Sequence, residues 1–510
     1  MSVICVLYSS NTTYDSLRGI LAMAAAELDR LGHEVKMLDL LAPDFSARLN
    51  ALLPRKAETM ALGFSGIGLD IHTKDGRLFW DVAQIPVFTW FCDHPCYFAK
   101  RHGLESRYTA HGYVFPDHAA FNRDHLGANG SVFATHMGIP DPGFFGGLPP
   151  EQRNGRLVFA KSGWNPLGLE RGWRKTMPPK LFALLFDAIA EARGKTCGAF
   201  PKIIVDVAER HLVYLTPGGD LFNVILTRLD NYTRGVRTRE VGAVLADYPV
   251  DFIGGGWSDL DVTGRPARVL GAMTFDAMRE GLGSYLGAVS LNPNIDQSVH
   301  DRVFFALGAG TVPVFDANRF SAAEMPHLAR YSFGQDTASI AASVEAVLAD
   351  PAAAQAATAA TMSELYPRFS MQRSVQDIHE ITMSIAGAAG AGLLPAEPVP
   401  AGVWTPKQAA CRGAISMAGS RRLRYPAPIT SERVQDEPAR VCFGTGCRGA
   451  RRRCAAARRR RRQAGGAGDR QRRLQKRAGT DQSADRRRRY RCGAEAPRLR
   501  RYPDQERQLR

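Results

Sequence analysis

Asp93 and His94 stand side by side in Trp90-Phe-Cys-Asp-His-Pro95, where an apolar run gives way to a loop. A carboxylate and an imidazole at the C-terminal tip of a strand are groups able to take a proton from a hydroxyl, and Pro95 keeps His94 out of a helix and in that loop. A second constellation is Leu291-Asn-Pro-Asn-Ile-Asp-Gln-Ser-Val-His-Asp-Arg302, which carries Asn292, Asn294, His300, Asp301 and Arg302. Val299, Val303 and Leu307 recur at i and i+4, so the spacing predicts a helix beginning near Val299 with one apolar face. His300, Asp301 and Arg302 then fall in its first turn. Unpaired N–H groups and the dipole at a helix start favour a phosphate, and Arg302 adds a bidentate donor of matching geometry. The chemistry these two sets suggest is proton abstraction at one and anion binding at the other.

Two further segments have compositions that let a ligand approach. Ile253-Gly-Gly-Gly-Trp257 places Gly255 and Gly256 directly after a strand, where the lack of a Cβ admits close backbone contact, although a triple glycine also suits a plain tight turn. Arg156-Leu-Val-Phe-Ala-Lys-Ser-Gly-Trp164 is a strand followed by a small-residue loop, from which Lys161 and Ser162 could reach a diphosphate or simply face water. Asp15 and His136, each shortly after an apolar strand, are lesser candidates. Neither G-x-G-x-x-G nor the phosphate-binding G-x-x-x-x-G-K-[ST] occurs, no Asp-x-Asp triplet stands at a strand end, and Cys92 and Cys96 around His94 have no second ligand pair nearby. No metal site and no bound cofactor are expected.

These residues need elements to hold them. Val3 to Tyr8 is an apolar strand, Leu17, Ile20, Leu21, Ala24 and Leu28 mark a helix that stops at Gly32, and residues 33–38 form a second strand. Such a βαβ opening favours a parallel sheet with right-handed crossovers. Further strands are expected at 59–64, 85–91, 112–115 and 131–134. Pro and Gly cluster in residues 138–150, and a new strand opens at Arg156, so one doubly wound domain is expected over 1–150 and a second over 151–386. The second has strands at 156–160, 250–253, 288–291 and 311–315, and helices at 176–246, 273–283, 299–308, 338–349 and 372–386, the last crossing back toward the first domain.

The segment Leu291-Asn292, His300-Asp301-Arg302-Val303-Phe304, Gly310 and the strand closing on Asp316 resembles the CgeB-like glycosyltransferases of the GT-B group. The resemblance is strongest from Asp251 to Asp316 and extends more weakly over 1–385. It implies an α/β, GT-B-like fold of two Rossmann-like domains facing a cleft. It further implies metal-independent transfer of a sugar from a nucleoside-diphosphate sugar to a hydroxyl acceptor of unknown kind. The donor would lie against Lys161, Ser162, Gly255, Gly256, Trp257, Asn292, Asn294, His300, Asp301, Arg302 and Gly310, and the acceptor against the first domain, with Asp93 or His94 catalytic or positioning. Related retaining families often have a Glu after Arg-x-Phe that holds the donor ribose; Phe305 stands there in this chain, so ribose recognition would come from elsewhere. A non-catalytic nucleotide or sugar-phosphate binder on the same scaffold is the alternative.

The chain has 510 residues, 45% of them hydrophobic, with a formal charge of +16. That length exceeds one core and excludes a peptide or a disulfide-stapled miniprotein. The charge is not spread evenly: residues 401–510 hold 31 Lys+Arg against 9 Asp+Glu, leaving 35 against 41 for the first 400. Leu, Ile, Val and Phe total 10 in those last 110 residues, too few to build a core. An arginine-rich arm that binds polyanions by counterion release fits this composition, and so does the product of G+C-rich DNA read in a shifted frame. A basic, disordered, low-complexity segment over 387–510 is therefore expected, with no specific nucleic acid as partner. Four scattered cysteines in the first 400 residues form no disulfide framework. With no basic n-region at the start and no apolar run of about 20 residues, a cytoplasmic location is expected.

Overall fold

A computed structural model describes residues 1–10, 15–104, 106–127 and 131–390. The arginine-rich segment from 391 onward, and with it the polyanion reading, lies outside the described residues, as does most of the polar loop after Tyr8.

Among the described residues, twelve strands form two six-stranded parallel sheets. The first contains β1 (Val3–Tyr8), β2 (Glu34–Asp39), β3 (Thr59–Phe64), β4 (Val87–Phe91), β5 (Thr109–Tyr113) and β6 (Ser131–Ala134), in the order β2-β1-β3-β4-β5-β6. The second contains β7 (Leu157–Ala160), β8 (Val250–Ile253), β9 (Arg268–Gly271), β10 (Gly287–Ser290), β11 (Val312–Asp316) and β12 (Ser332–Phe333), in the order β12-β11-β10-β7-β8-β9. The fold is α/β, with two doubly wound Rossmann-like sheets, the arrangement that the GT-B resemblance implies. Inner strands are buried on both faces: β3, β4, β8 and β10 expose nothing, as strands covered by helices on each side must be.

Strand order locates the clefts. In each sheet the chain starts at an inner strand and reverses direction once, between β1 and β3 in the first and between β7 and β10 in the second. Loops leaving the C-terminal ends of such neighbours diverge to opposite faces, and the crevice between them is where open α/β sheets bind ligands. Lys161 and Ser162 follow β7, and Asn292 to Arg302 follow β10, so the second sheet's crevice lies between them. In the first sheet the corresponding crevice lies between Ser9 and the turn Ser65–Gly68.

The two halves are joined where the chain passes between them. The Ile139 amide donates to the Phe369 carbonyl at 2.6 Å, and the Met371 amide donates to Ile139 at 2.8 Å. Gly138 is required there: its φ is +84°, and a Cβ would stand 2.7 Å from the Met371 backbone. The helix Met371–Gly390 then returns to pack on the helix Ser16–Arg30 and on β3 to β5, and His379 Nε2 meets Ser2 Oγ at 3.0 Å.

Several elements differ from expectation. The strand expected at 112–115 runs from Thr109 to Tyr113, because Pro116 starts a helix and leaves Phe115 as its extended cap. Strand β9 is an exposed edge, whose alternation is masked because no residue on it needs burial. The helix Pro351–Phe369 was not foreseen; its alanine-rich sequence has little apolar periodicity.

Candidate active site

The helix expected from near Val299 starts two residues later, at Asp301, so Val299 precedes it, His300 caps it, and residues 303–308 are all buried rather than forming one apolar face. Val299, Val303 and Leu307 are buried at 1%, 0% and 1% exposure, and the helix Asp301–Gly308 takes His300 as its N-cap. His300 Nδ1 accepts from the Arg302 amide at 3.3 Å, and Asp301 accepts the same amide at 2.8 Å. His300 and Asp301 also contact each other closely. Burial favours the uncharged acid at Asp301, but His300 and Arg302 outweigh it and hold the carboxyl down at about 2. Burial likewise moves His300 down to about 4, leaving the ring neutral at pH 7.

Arg302 has no such commitment. Its Nη1 is buried without a hydrogen-bond partner, and it enters no ion pair among the described residues. Burial lowers its pKa and Arg234 lowers it further, while Asp301 opposes them without restoring the ordinary value. Lys161 is in the same condition: burial, then Arg302, then Arg234, push its ammonium well below the ordinary value. Arg302 and Lys161 are both half-buried, and Arg302 disfavours the charge on Lys161, an arrangement that an anion relieves. Arg234 differs. Burial opposes its charge, but Asp230, Tyr97 and Asp93 together hold it above the ordinary arginine value.

Arg234 belongs to a face of the long helix Asp220–Leu245 that sequence reasoning missed. Asp230 is 1% exposed; it accepts from the Tyr97 hydroxyl at 2.8 Å, from Arg234 at 3.3 Å and from Asn294 Nδ2 at 2.8 Å. Asp230, Arg234 and Thr238 recur at i+4, a polar stripe on a helix otherwise read by its apolar residues. This stripe joins the halves, since Tyr97 comes from the first and Asn294 from the second. A cavity of about 200 Å³ opens on it, lined by Asp93, Tyr97, Lys161, Trp164, Asn231, Arg234 and Thr238. A second cavity, of about 420 Å³, occupies the crevice of the first sheet, lined among others by Ser9, Ser65, Gly66, Phe98, Arg101 and Asp93.

Asp93 is the residue the two cavities share. Its pKa is raised above the ordinary 3.8, first by burial and then by Asp230 and Asp301, with Arg234 opposing. His94 behaves differently. It is 2% exposed, its Nδ1 accepts from the Cys96 amide at 3.3 Å, and its Nε2 has no partner. Burial takes it down to about 4, and its ring lies 4.5 Å from Phe121 and 4.9 Å from His118. It lines neither cavity.

The other expected donor contacts are distributed as follows. Asn292 is fully engaged: its amide donates to Asp316 at 2.7 Å, its Nδ2 donates to the Asp316 carbonyl at 2.9 Å, and its Oδ1 accepts from the His300 amide at 2.8 Å. It sets the loop's path. Gly255 and Gly256 are exposed, and Gly256, at φ +80°, lets the turn pack on Trp164. Trp257 is 1% exposed, in the core between Phe159 and Phe252, and donates Nε1–H to the Lys161 carbonyl at 2.7 Å. The glycine turn and the Lys161–Trp164 loop therefore brace each other, and Ser162 is half-buried within that loop. Gly310, at φ +62°, ends the helix. Phe305 is 7% exposed, tilted against Phe145 and edge-to-face with Phe275. Asp15 pairs with Arg18, which reaches Asp276 at 3.0 Å, and His136 meets Ser298 Oγ at 3.1 Å. Both contacts tie one half to the other.

No family model and no curated protein matches the chain. Among solved structures, it is similar to an alpha-glucosyltransferase in complex with UDP and a 13-mer DNA containing a central A:G mismatch. That likeness is 11% identity over 75% of this chain and 100% of that one, with a TM-score of 0.43. It is also similar to sucrose-phosphate synthase from Thermosynechococcus elongatus, at 10% identity over 76% and 100%, TM-score 0.41. A third is MurG of Acinetobacter baumannii, at 9% identity over 74% and 99%, TM-score 0.32.

Proposed function

We propose that the chain is a GT-B glycosyltransferase that moves a sugar from a nucleoside-diphosphate sugar to a hydroxyl acceptor without a metal. The observation that carries this reading is the position of Asp93 on the wall of both cavities, between a cationic site and an open crevice. The donor diphosphate lies with Lys161, Arg234 and Arg302. The acceptor lies in the first sheet's crevice, with its hydroxyl toward Asp93. The acceptor oxygen bonds to the anomeric carbon as the bond from that carbon to the phosphate oxygen breaks; the diphosphate leaves with the electron pair, and the hydroxyl proton passes to Asp93. Lys161, Arg234 and Arg302 stabilise the charge that develops on the leaving group, the first amides of the Asp301 helix being taken up by His300 and Asp301. These cations supply what a divalent ion otherwise supplies, hence the metal-independent assignment. Among the described residues no helix is long and apolar enough to cross a membrane; a cytoplasmic location belongs to the same proposal.

A thermal-shift screen of UDP-, GDP-, ADP- and CMP-sugars tests this, since a true donor at 100 times its Kd adds about 2.7 kcal/mol of apparent stability. Four flat responses sink the reading. With the nucleotide that responds, Arg302→Ala is expected to weaken binding about 10- to 150-fold, the range for hydrogen bonds to a charged group. Unchanged affinity by calorimetry removes Arg302 from the diphosphate site.

The alternative, a binder without turnover, draws on Phe305, which fills the place of the ribose-holding Glu with an aromatic cluster. Release of free sugar or transfer product from a purified sample decides against it.

A further inference from the structure

The crevice of the first sheet is a built site. Its floor is the turn after β3, in which Ser65, Gly66 and Gly68 all have positive φ, at 51°, 77° and 83°. A non-glycine residue in this region is strained, and such strain persists only where the surroundings enforce it. Three side chains do so here. Thr89 Oγ1 accepts from the Gly66 amide at 3.0 Å, Trp80 Nε1 donates to the Gly68 carbonyl at 2.8 Å, and Arg101 Nη1 donates to the Ser65 carbonyl at 2.5 Å. The glycines are needed as well, since a Cβ on Gly68 would stand 2.6 Å from Leu7 and one on Gly66 2.8 Å from Arg101.

Arg101 has more to offer than this brace. Its guanidinium stacks on Phe98 at 4.6 Å, which fixes its plane, and it enters no ion pair among the described residues. Leu17, Leu40 and Ile67 give the crevice an apolar wall. Of the acidic groups, Asp70 is exposed and Asp93 lies on the boundary with the other cavity. A single unpaired cation, held flat beside an apolar wall, matches one negative charge on a planar group, because the guanidinium fork fits a carboxylate with two parallel hydrogen bonds. A doubly charged phosphate would bring its second charge toward Asp70 and Asp93.

We infer that this crevice binds a small hydroxylated carboxylate, with the carboxylate on Arg101, an apolar body against Leu17, Leu40 and Ile67, and the hydroxyl directed at Asp93. That this molecule is the sugar acceptor rests on the transferase reading; the crevice's preference for a carboxylate does not.

The test uses the full chain and two probes of nearly equal shape, 4-hydroxyphenylacetate and its neutral counterpart 2-(4-hydroxyphenyl)ethanol, with affinities taken by calorimetry. The carboxylate is expected to bind about tenfold or more tightly, one charge-assisted pair. Arg101→Gln is expected to bring the ratio to near one, and Arg101→Lys to restore part of it. Far-UV circular dichroism and unchanged nucleotide affinity show that the variants are folded. Equal affinities in the wild type, or a ratio that survives Arg101→Gln, overturn the inference. Nucleotide binding reports separately on the donor site, so a chain that prefers the carboxylate and ignores every nucleotide loses the transferase reading and keeps this one.

Discussion

Asp93→Asn is expected to lower turnover about 10²- to 10⁴-fold while leaving nucleotide affinity nearly unchanged, the span that a positioned general base contributes. The substitution keeps the side chain's size and removes its ability to take a proton. In the proposed assignment the donor contacts are Lys161, Arg234 and Arg302, so binding has little reason to follow. The pH profile sharpens the test. Asp93 is buried beside Asp230 and Asp301, which raises its pKa above 3.8 despite Arg234. The base form exists only above that raised value, so the wild-type rate falls as pH drops through it, earlier than for an ordinary aspartate. The residual rate of Asp93→Asn should lack this limb. His94→Ala separates the neighbours: a ring that lines neither cavity and caps the turn at Cys96 should cost stability more than turnover. A larger rate loss in His94→Ala than in Asp93→Asn would transfer the base role to the imidazole.

How much of this was legible in the sequence depended on whether position along the chain implied position in space. Val299, Val303 and Leu307 located the start of the Asp301–Gly308 helix to within two residues but not its facing, since Val299 precedes it and Val303 to Gly308 are all buried. Asp93 was readable because a buried parallel strand puts whatever follows it at the sheet's ligand-binding edge. Arg234 was not: the long helix carries other arginines besides, and only the packing of Tyr97 and Asn294 onto Asp230 shows which of its faces meets the cleft. A polar stripe at 230, 234 and 238 was the available signal, and it reads equally well as a solvated face. Asn292 shows the opposite failure. An amide in a loop before a candidate phosphate-binding turn suggests a ligand contact, but its backbone N–H and both side-chain polar groups are taken up in holding Asp316 and His300. The carboxylate-binding crevice had no sequence signature, because Arg101 and Ser65 are 36 residues apart and meet only through the register of β3 with β4.

Mild acid should destabilise the fold by several kcal/mol between pH 7 and 5.5. His94, His102, His111 and His118 are each no more than 2% exposed, and His94 Nε2, His102 Nε2 and both ring nitrogens of His111 and His118 have no partner. Burial drives His94 and His111 down to about 4, His102 to about 3 and His118 well below 6.5. In the unfolded chain each takes up a proton near pH 6.5, whereas in the folded state each resists until much lower pH. The stability they allow is therefore present above pH 6.5 and lost as pH falls toward about 4. One pH unit below 6.5 the loss is about 1 kcal/mol per histidine, about 4 kcal/mol for four. Asp316, raised to about 6 by burial, binds its proton more readily when folded and recovers about 1 kcal/mol over the same interval. Denaturant titrations at stepped pH read the sum. His111→Phe isolates one share, since its ring sits at 0% exposure against Phe91 and phenylalanine cannot take a proton. Its stability curve should fall less steeply than the wild type's by about 1 kcal/mol between pH 7 and 5.5, whatever the offset at neutral pH. Parallel curves would mean that His111 reaches a proton in the folded state and that the buried histidine cluster is not what makes the fold acid-sensitive.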